Sequence, residues 1–187
     1  MKKLLYLLFF TSFSIFSQNL VEKNHSFQDG VTGWDVGVWG DDKGKPVADI
    51  SVAKDGHNDG SSVKIRVKQN SKNGKGDKVF VKYPHIELKK RKRYEISFWI
   101  MSKYYEDEVL LTIYSAEDTG SDKKWGAVVD RSFPFTGDGK WHKISYTFET
   151  EGLYDLPVDL KNLCIFFGFD KRRGTFWLDD VSLVRVK

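Results

Sequence analysis

One cysteine stands in 187 residues, and a lone thiol excludes an internal disulfide. Cys164 lies in the apolar run LCIFFGF, where it reads as a small buried hydrophobe. Helical periodicity is missing from almost the whole chain. After the first residues, no apolar run approaches the roughly 20 residues that a membrane-spanning helix needs. There is no nucleophile elbow, no glycine-rich phosphate loop and no Cys/His spacing suited to zinc. An excess of one charge sign is missing too: 30 Lys and Arg stand against 26 Asp and Glu, a formal net charge of +4. Such a balance does not point to nucleic acid as a partner. The one local excess is KKRKR, from Lys89 to Arg93. It lies between two strand-like stretches and reads as a solvated turn, with contact to an acidic glycan or a membrane surface as the alternative.

What is present begins with MKKLLYLLFFTSFSIFS: two lysines, an apolar run from Leu4 to Phe10, then small hydroxyl residues to Ser17. This is the order of a secretory signal peptide, too short in its apolar part to be a spanning helix. Residues 1–17 are expected to be removed, leaving one exported domain over 18–187 with a net charge of about +2 and no membrane span. A monomer is expected.

The rest of the chain carries short alternations bounded by Gly, Asn and Asp, the pattern of strands with one covered face. In SSVKIRVKQ, Val63, Ile65 and Val67 alternate with Lys64, Arg66 and Lys68. KVFVKY puts Val79, Val81 and Tyr83 on one side, and Phe80 and Lys82 on the other. YEISFWIMS, EVLLTIYS, WHKISYTFET, NLCIFFGF and TFWLDDVSLVRV follow, with GWDVGVW, VADISVA and GAVVDRSF as shorter cases. About ten strands with regular turn signals and no helix between them predict an all-β jelly-roll sandwich of two antiparallel sheets.

Several of these strands are apolar or aromatic on both faces. If Tyr94, Ile96, Phe98 and Ile100 face the core, Trp99 and Met101 face away from it, as do Thr112 and Tyr114 on the following strand. Either a loop covers these outward rings or they line a concave face that stacks on flat ligands. A second anomaly is the adjacent pair Asp179 and Asp180 in GTFWLDDVSLVRVK. Strand interiors deplete Asp, so the pair marks a turn, a bulge or a site that needs negative oxygen.

Four stretches together resemble the carbohydrate-binding modules of the family 4/9/22 jelly-roll group. NHSFQDGVTGW resembles that group's opening, and LKKRKRYEISFWIMSK resembles its central Ser-Phe-Trp strand. GKWHKISYTF resembles its Trp-initiated penultimate segment, and GTFWLDDVSLVRV its closing Leu-Asp-Asp-Val strand. The likeness runs from about Asn19 to Lys187 in the right order. It implies non-catalytic binding of a polysaccharide or oligosaccharide by aromatic stacking. With strand parity, it makes Phe80, Trp99 and Tyr114 the expected rings, Lys82 their polar neighbour, and Trp39 and Trp125 the rim. Trp34 and Trp141 match motif positions and are expected to pack. The resemblance also implies a structural calcium ion where the opening segment meets the closing strand. Gln28 or Asp29 would supply oxygen from one side and Asp179 or Asp180 from the other. Gln28 stands where the group usually has Glu, which lowers the charge of the expected site.

Two other functions follow less directly. The fold can serve as an adhesion module that binds a protein partner. Sandwich folds also carry polysaccharide hydrolases and lyases, but no pair of carboxylates recurs at strand spacing and no His stands in a lyase-like motif. No catalytic residue is therefore assigned.

Overall fold

A computed structural model describes residues 18–38, 48–58, 60–68, 78–103, 107–115, 126–150, 160–170 and 174–187. The expected leader, residues 1–17, lies outside the described residues, as do Trp39 and Trp125. Ten strands form in chain order: β1 (Asp35–Val38), β2 (Ala48–Ala53), β3 (Ser62–Val67), β4 (Lys78–Ile86) and β5 (Arg93–Lys103), then β6 (Asp107–Ser115), β7 (Ala127–Phe135), β8 (Asp138–Glu149), β9 (Leu163–Asp170) and β10 (Gly174–Val186). They pair antiparallel into two five-stranded sheets, β1-β4-β9-β6-β7 and β2-β3-β10-β5-β8. The all-β jelly-roll sandwich expected from the alternations is the fold. No helix among the described residues is long and apolar enough to cross a membrane.

Alternation decides which side chains meet between the sheets. Ile65, Ile96, Phe98, Ile100, Phe176 and Leu178 come inward from one sheet, and Val79, Val81, Leu111, Ile113, Phe167 and Phe169 from the other; all are buried. Phe98 meets Phe167 edge-on with centroids 4.9 Å apart, and Phe169 stacks on Phe176 at 5.6 Å. Such offset and edge-to-face pairs suit the ring quadrupoles and join the two layers. The KKRKR stretch forms the turn into β5, closed by the Thr150 hydroxyl, which accepts from the Lys92 N–H and donates to the Lys89 carbonyl.

The opening motif is structural. Its Asn24 side chain donates to the carbonyls of Gly30 and Thr32 and accepts from the Asp29 N–H, so one amide organises the whole loop. The Trp34 indole N–H donates to the Asn24 carbonyl, and Trp34 packs between buried Phe27 and Tyr83. Trp34 is thus the packing residue its motif position implied. Asn19 then ties the chain start to β10. Its side-chain oxygen accepts from the N–H groups of Val21 and Leu183, and its NH2 donates to the Val181 carbonyl.

Candidate functional site

The outward aromatics belong to two different surfaces. Directly opposed residues on neighbouring strands share a face. On the β1-β4-β9-β6-β7 sheet, one outward row therefore runs Asp35, Lys82, Phe166, Thr112, Asp130 across all five strands. The next row holds Gly37, Phe80, Gly168, Leu110 and Ser132. Tyr114 is opposed to Cys164 on the far side of the first row. Trp99 lies elsewhere, on the outer face of the β2-β3-β10-β5-β8 sheet, opposed to Asp179 and Lys143. Strand parity showed that Trp99 faces away from the core, but parity carries no information about which sheet a strand joins. The expectation of one face bearing Phe80, Trp99 and Tyr114 is corrected accordingly.

On the first face, the far edge of the Phe80 ring reaches over Gly37. Phe80 is opposed to Gly37 on one side and Gly168 on the other, and a Cβ on Gly37 would come within 2.8 Å of the Phe80 ring. Phe166 stacks on Phe80 at 5.8 Å, and Tyr114 meets Phe166 edge-on at 6.3 Å. Phe80 and Phe166 are buried, while Tyr114 is half-buried and its ring is the more open of the three. Lys82 bonds Asp35 at 2.8 Å, and the Thr112 hydroxyl donates to Asp130 at 3.3 Å. The bond to Asp35 holds the Lys82 ammonium above its ordinary pKa, against the opposing effect of burial. Burial raises the Tyr114 phenol, aided by Cys164, and Lys82 acts in the other direction. Lys82, Asp35, Tyr114 and Cys164 therefore share one neighbourhood. It offers one half-open ring, a phenol, an ammonium and a carboxylate, beside a buried phenylalanine floor.

On the second face, the Asp pair stops being an anomaly. Between Asp179 and Ser182, β10 carries one more residue than β5, which makes a β-bulge. Asp180 sits in it with φ 47°, a left-handed conformation that Asp tolerates better than branched residues. The Val181 N–H, turned out of the ladder, donates to the His25 carbonyl. Asp179 is fully buried, and its two oxygens accept from the backbone N–H groups of His57 and Asp180, each at 2.7 Å. Asp180 Oδ2 lies 3.1 Å from His57 Nδ1 and accepts from the Asn58 amide at 2.7 Å.

His57 also stacks on Trp99, with centroids 3.5 Å apart and planes 17° apart, and meets Trp141 edge-on at 6.1 Å. One face of the Trp99 ring is thus covered by the protein's own imidazole. Trp141, expected to pack, does so half-buried on this outer face, edge-on against His57. His57 is presented by the loop before β3, where Gly56 leaves no room for a Cβ against the Ser61 backbone. The only sequence signal for this was the pairing of an outward Trp with an outward Asp on strands not yet known to be neighbours.

The residues expected to hold calcium make bonds within the protein. Calcium takes six to eight oxygens, whereas the oxygens of Asp179 and Asp180 receive donors from His57, Asn58 and the backbone. Among the described residues, no three His, Cys, Asp or Glu side chains converge where they could hold a metal ion. Asp29 is exposed in the opening loop, and its backbone groups bond Asn24 and Thr32. Gln28 is exposed in the same loop.

A family model described as carbohydrate binding domain matches residues 19–159. No curated protein matched the chain. Among solved structures, one titled "CBM4 structure and function" is 18% identical, with 87% of this chain and 98% of that one covered and a TM-score of 0.59. TmCBM61 in complex with β-1,4-galactotriose is 20% identical over 91% of this chain and 100% of its own, TM-score 0.58. The CBM22-1 xylan-binding domain from Paenibacillus barcinonensis is 18% identical over 87% and 92%, TM-score 0.56. At these identities the likeness to solved structures concerns the fold.

Two measurements check the site as described. Replacing Asp179 with Ala leaves two buried N–H groups without acceptors, so urea unfolding should show a loss of about 2–4 kcal/mol. Burial raises the Cys164 thiol above its ordinary pKa, so the neutral form persists at mildly alkaline pH. A thiol reagent at pH 8 should label Cys164 only as fast as the protein unfolds.

Proposed function

The chain belongs to the carbohydrate binding domain family, and from that membership we propose that it is an exported, non-catalytic module that holds a polysaccharide or oligosaccharide on the outer face of the β1-β4-β9-β6-β7 sheet. The observation that carries this reading is the gathering of Tyr114, Lys82 and Asp35 beside the buried Phe80–Phe166 floor. A half-open ring stacks on the apolar side of a pyranose, and the ammonium, phenol and carboxylate select among hydroxyls. Few polar groups placed on an apolar floor are the usual make-up of such a site.

Catalysis is disfavoured by distance. Asp35 and Asp130 stand four strands apart in one row, so their backbones are separated by roughly 19 Å at the usual strand spacing. A glycosidase needs its two carboxyls within about 5–9.5 Å.

A second reading has an observation behind it. Phe80 and Phe166 are 9% and 3% exposed, which leaves Tyr114 as the open ring of this row and suits a module that binds a protein partner.

Affinity gel electrophoresis against neutral soluble polysaccharides separates the readings. The wild-type protein should be retarded by at least one of them. Tyr114→Ala should weaken that retardation about tenfold or more, as expected for a ring at the centre of a contact, without changing the melting temperature. Absence of retardation by any glycan, with the protein folded, would support the protein partner. The expectation of a structural calcium ion is tested by melting the protein in calcium and in chelator. With the acid pair already engaged, the two melting temperatures should coincide; a drop in chelator would establish a bound ion.

A further inference from the structure

The outer face of the β2-β3-β10-β5-β8 sheet carries a second constellation that the proposed glycan site does not use. Trp177 of β10 lies there between Lys64 of β3 and Met101 of β5 in one row. In the adjacent row, Thr175 lies between Arg66 and Lys103. The Lys64 ammonium stands 5.0 Å from the Trp177 ring centroid and the Lys103 ammonium 5.4 Å. Two like charges are thus drawn to one ring by its negative face. The ring is 3% exposed, and its Nε1–H is the one buried side-chain polar atom without a hydrogen-bond partner among the described residues.

The cations around it are unbalanced. Lys68 is neutralised by Asp49 at 2.7 Å, but Lys64, Arg66, Lys103 and Lys143 form no ion pair among the described residues. The acids at the two ends of the Arg66–Thr175–Lys103 row, Asp49 and Asp138, bond Lys68 and His142, and Asp179 and Asp180 are committed to His57, Asn58 and backbone amides. Arg66, Lys103 and Lys143 are exposed. A buried N–H without an acceptor and two ammonium groups that stand over the same ring, neither in an ion pair among the described residues, are all answered by one kind of ligand atom, an anionic oxygen.

We propose that this face is a second contact surface, for an acidic polysaccharide. A carboxylate or sulfate oxygen of the polymer sits between Lys64 and Lys103 and accepts the Trp177 Nε1–H, while Arg66 and Lys143 meet neighbouring substituents. An extended polymer suits the arrangement because the cations are spread along a sheet beside the half-exposed Trp99 and Trp141. The near-balanced charge of the whole chain, +4 in 187 residues, argues against a general polyanion binder. This surface is on the opposite side of the sandwich from Tyr114, so it stands or falls independently of the proposed neutral-glycan site.

The test is affinity gel electrophoresis of the protein in polygalacturonate, in dextran sulfate and in a neutral glucan, at low and high salt. The wild type should be retarded by at least one acidic polymer, with the effect weakened by salt; which polymer does so distinguishes carboxylate from sulfate. A Lys64→Gln/Lys103→Gln variant keeps the stems that cover Trp177. It should melt as the wild type does and bind the acidic polymer about tenfold or more weakly, since two charge-assisted contacts are lost. Trp177→Phe, which removes the N–H, should weaken acidic binding in the same direction. Tyr114→Ala should leave it intact, and so should Lys89→Ala/Lys90→Ala in the basic turn. The proposal is overturned if neither acidic polymer retards the wild type, if the Lys64/Lys103 variant binds as well as the wild type, or if the loss follows Lys89 and Lys90 instead.

Discussion

A single buried carboxyl group holds much of this structure in register. Asp179 projects from β10, which lies at the centre of its sheet and is bonded to β3 and β5. Fully buried, it would be costly without partners, and it receives one N–H from the loop before β3 and one from its own neighbour. The first bond brings His57 over Trp99; the second shapes the bulge in which Asp180 takes a left-handed conformation. The bulge in turn turns the Val181 N–H toward His25, so the opening loop docks at the same point. Loop, bulge and chain start are therefore consequences of one acceptor.

That arrangement also decides what each face of the sandwich can offer. His57 closes one face of Trp99, while the ammonium groups of Lys64 and Lys103 stand over Trp177. Open on that sheet are Arg66, Lys103 and Lys143, with Asp49 and Asp138 at the ends of the Arg66–Lys103 row. On the other sheet, Gly37 leaves room for the Phe80 ring, and Phe166 stacks on it. There the open groups are a phenol, a paired ammonium and two carboxylates at the margins. The two outer surfaces thus have different chemistry: one presents a phenol beside a paired ammonium, the other several cations outside ion pairs among the described residues.

The hydrogen-bonded clasp around Asp179 and Asp180 has a simple physical origin. Adjacent acids in a strand must be compensated, and either a cation or a set of N–H donors can do this. Here a histidine, an asparagine and two backbone amides do so.

Much of the fold was legible in the sequence because alternation is local. Val63, Ile65 and Val67 against Lys64, Arg66 and Lys68 states which side of β3 is covered without knowledge of any other strand. The same holds for Phe80 and Tyr114, whose outward orientation follows from their own neighbours. The order of the strands is not local. Trp99 and Tyr114 both face outward from successive strands, yet β5 and β6 lie in different sheets, and no periodicity records that division. Nor could the sequence show that His57 covers Trp99, or that Asp179 lies beneath a loop 122 residues earlier in the chain. The sequence by itself determined the faces of individual strands. Tertiary pairing alone decided which outward side chains share a surface, because it depends on contacts between residues far apart in the chain.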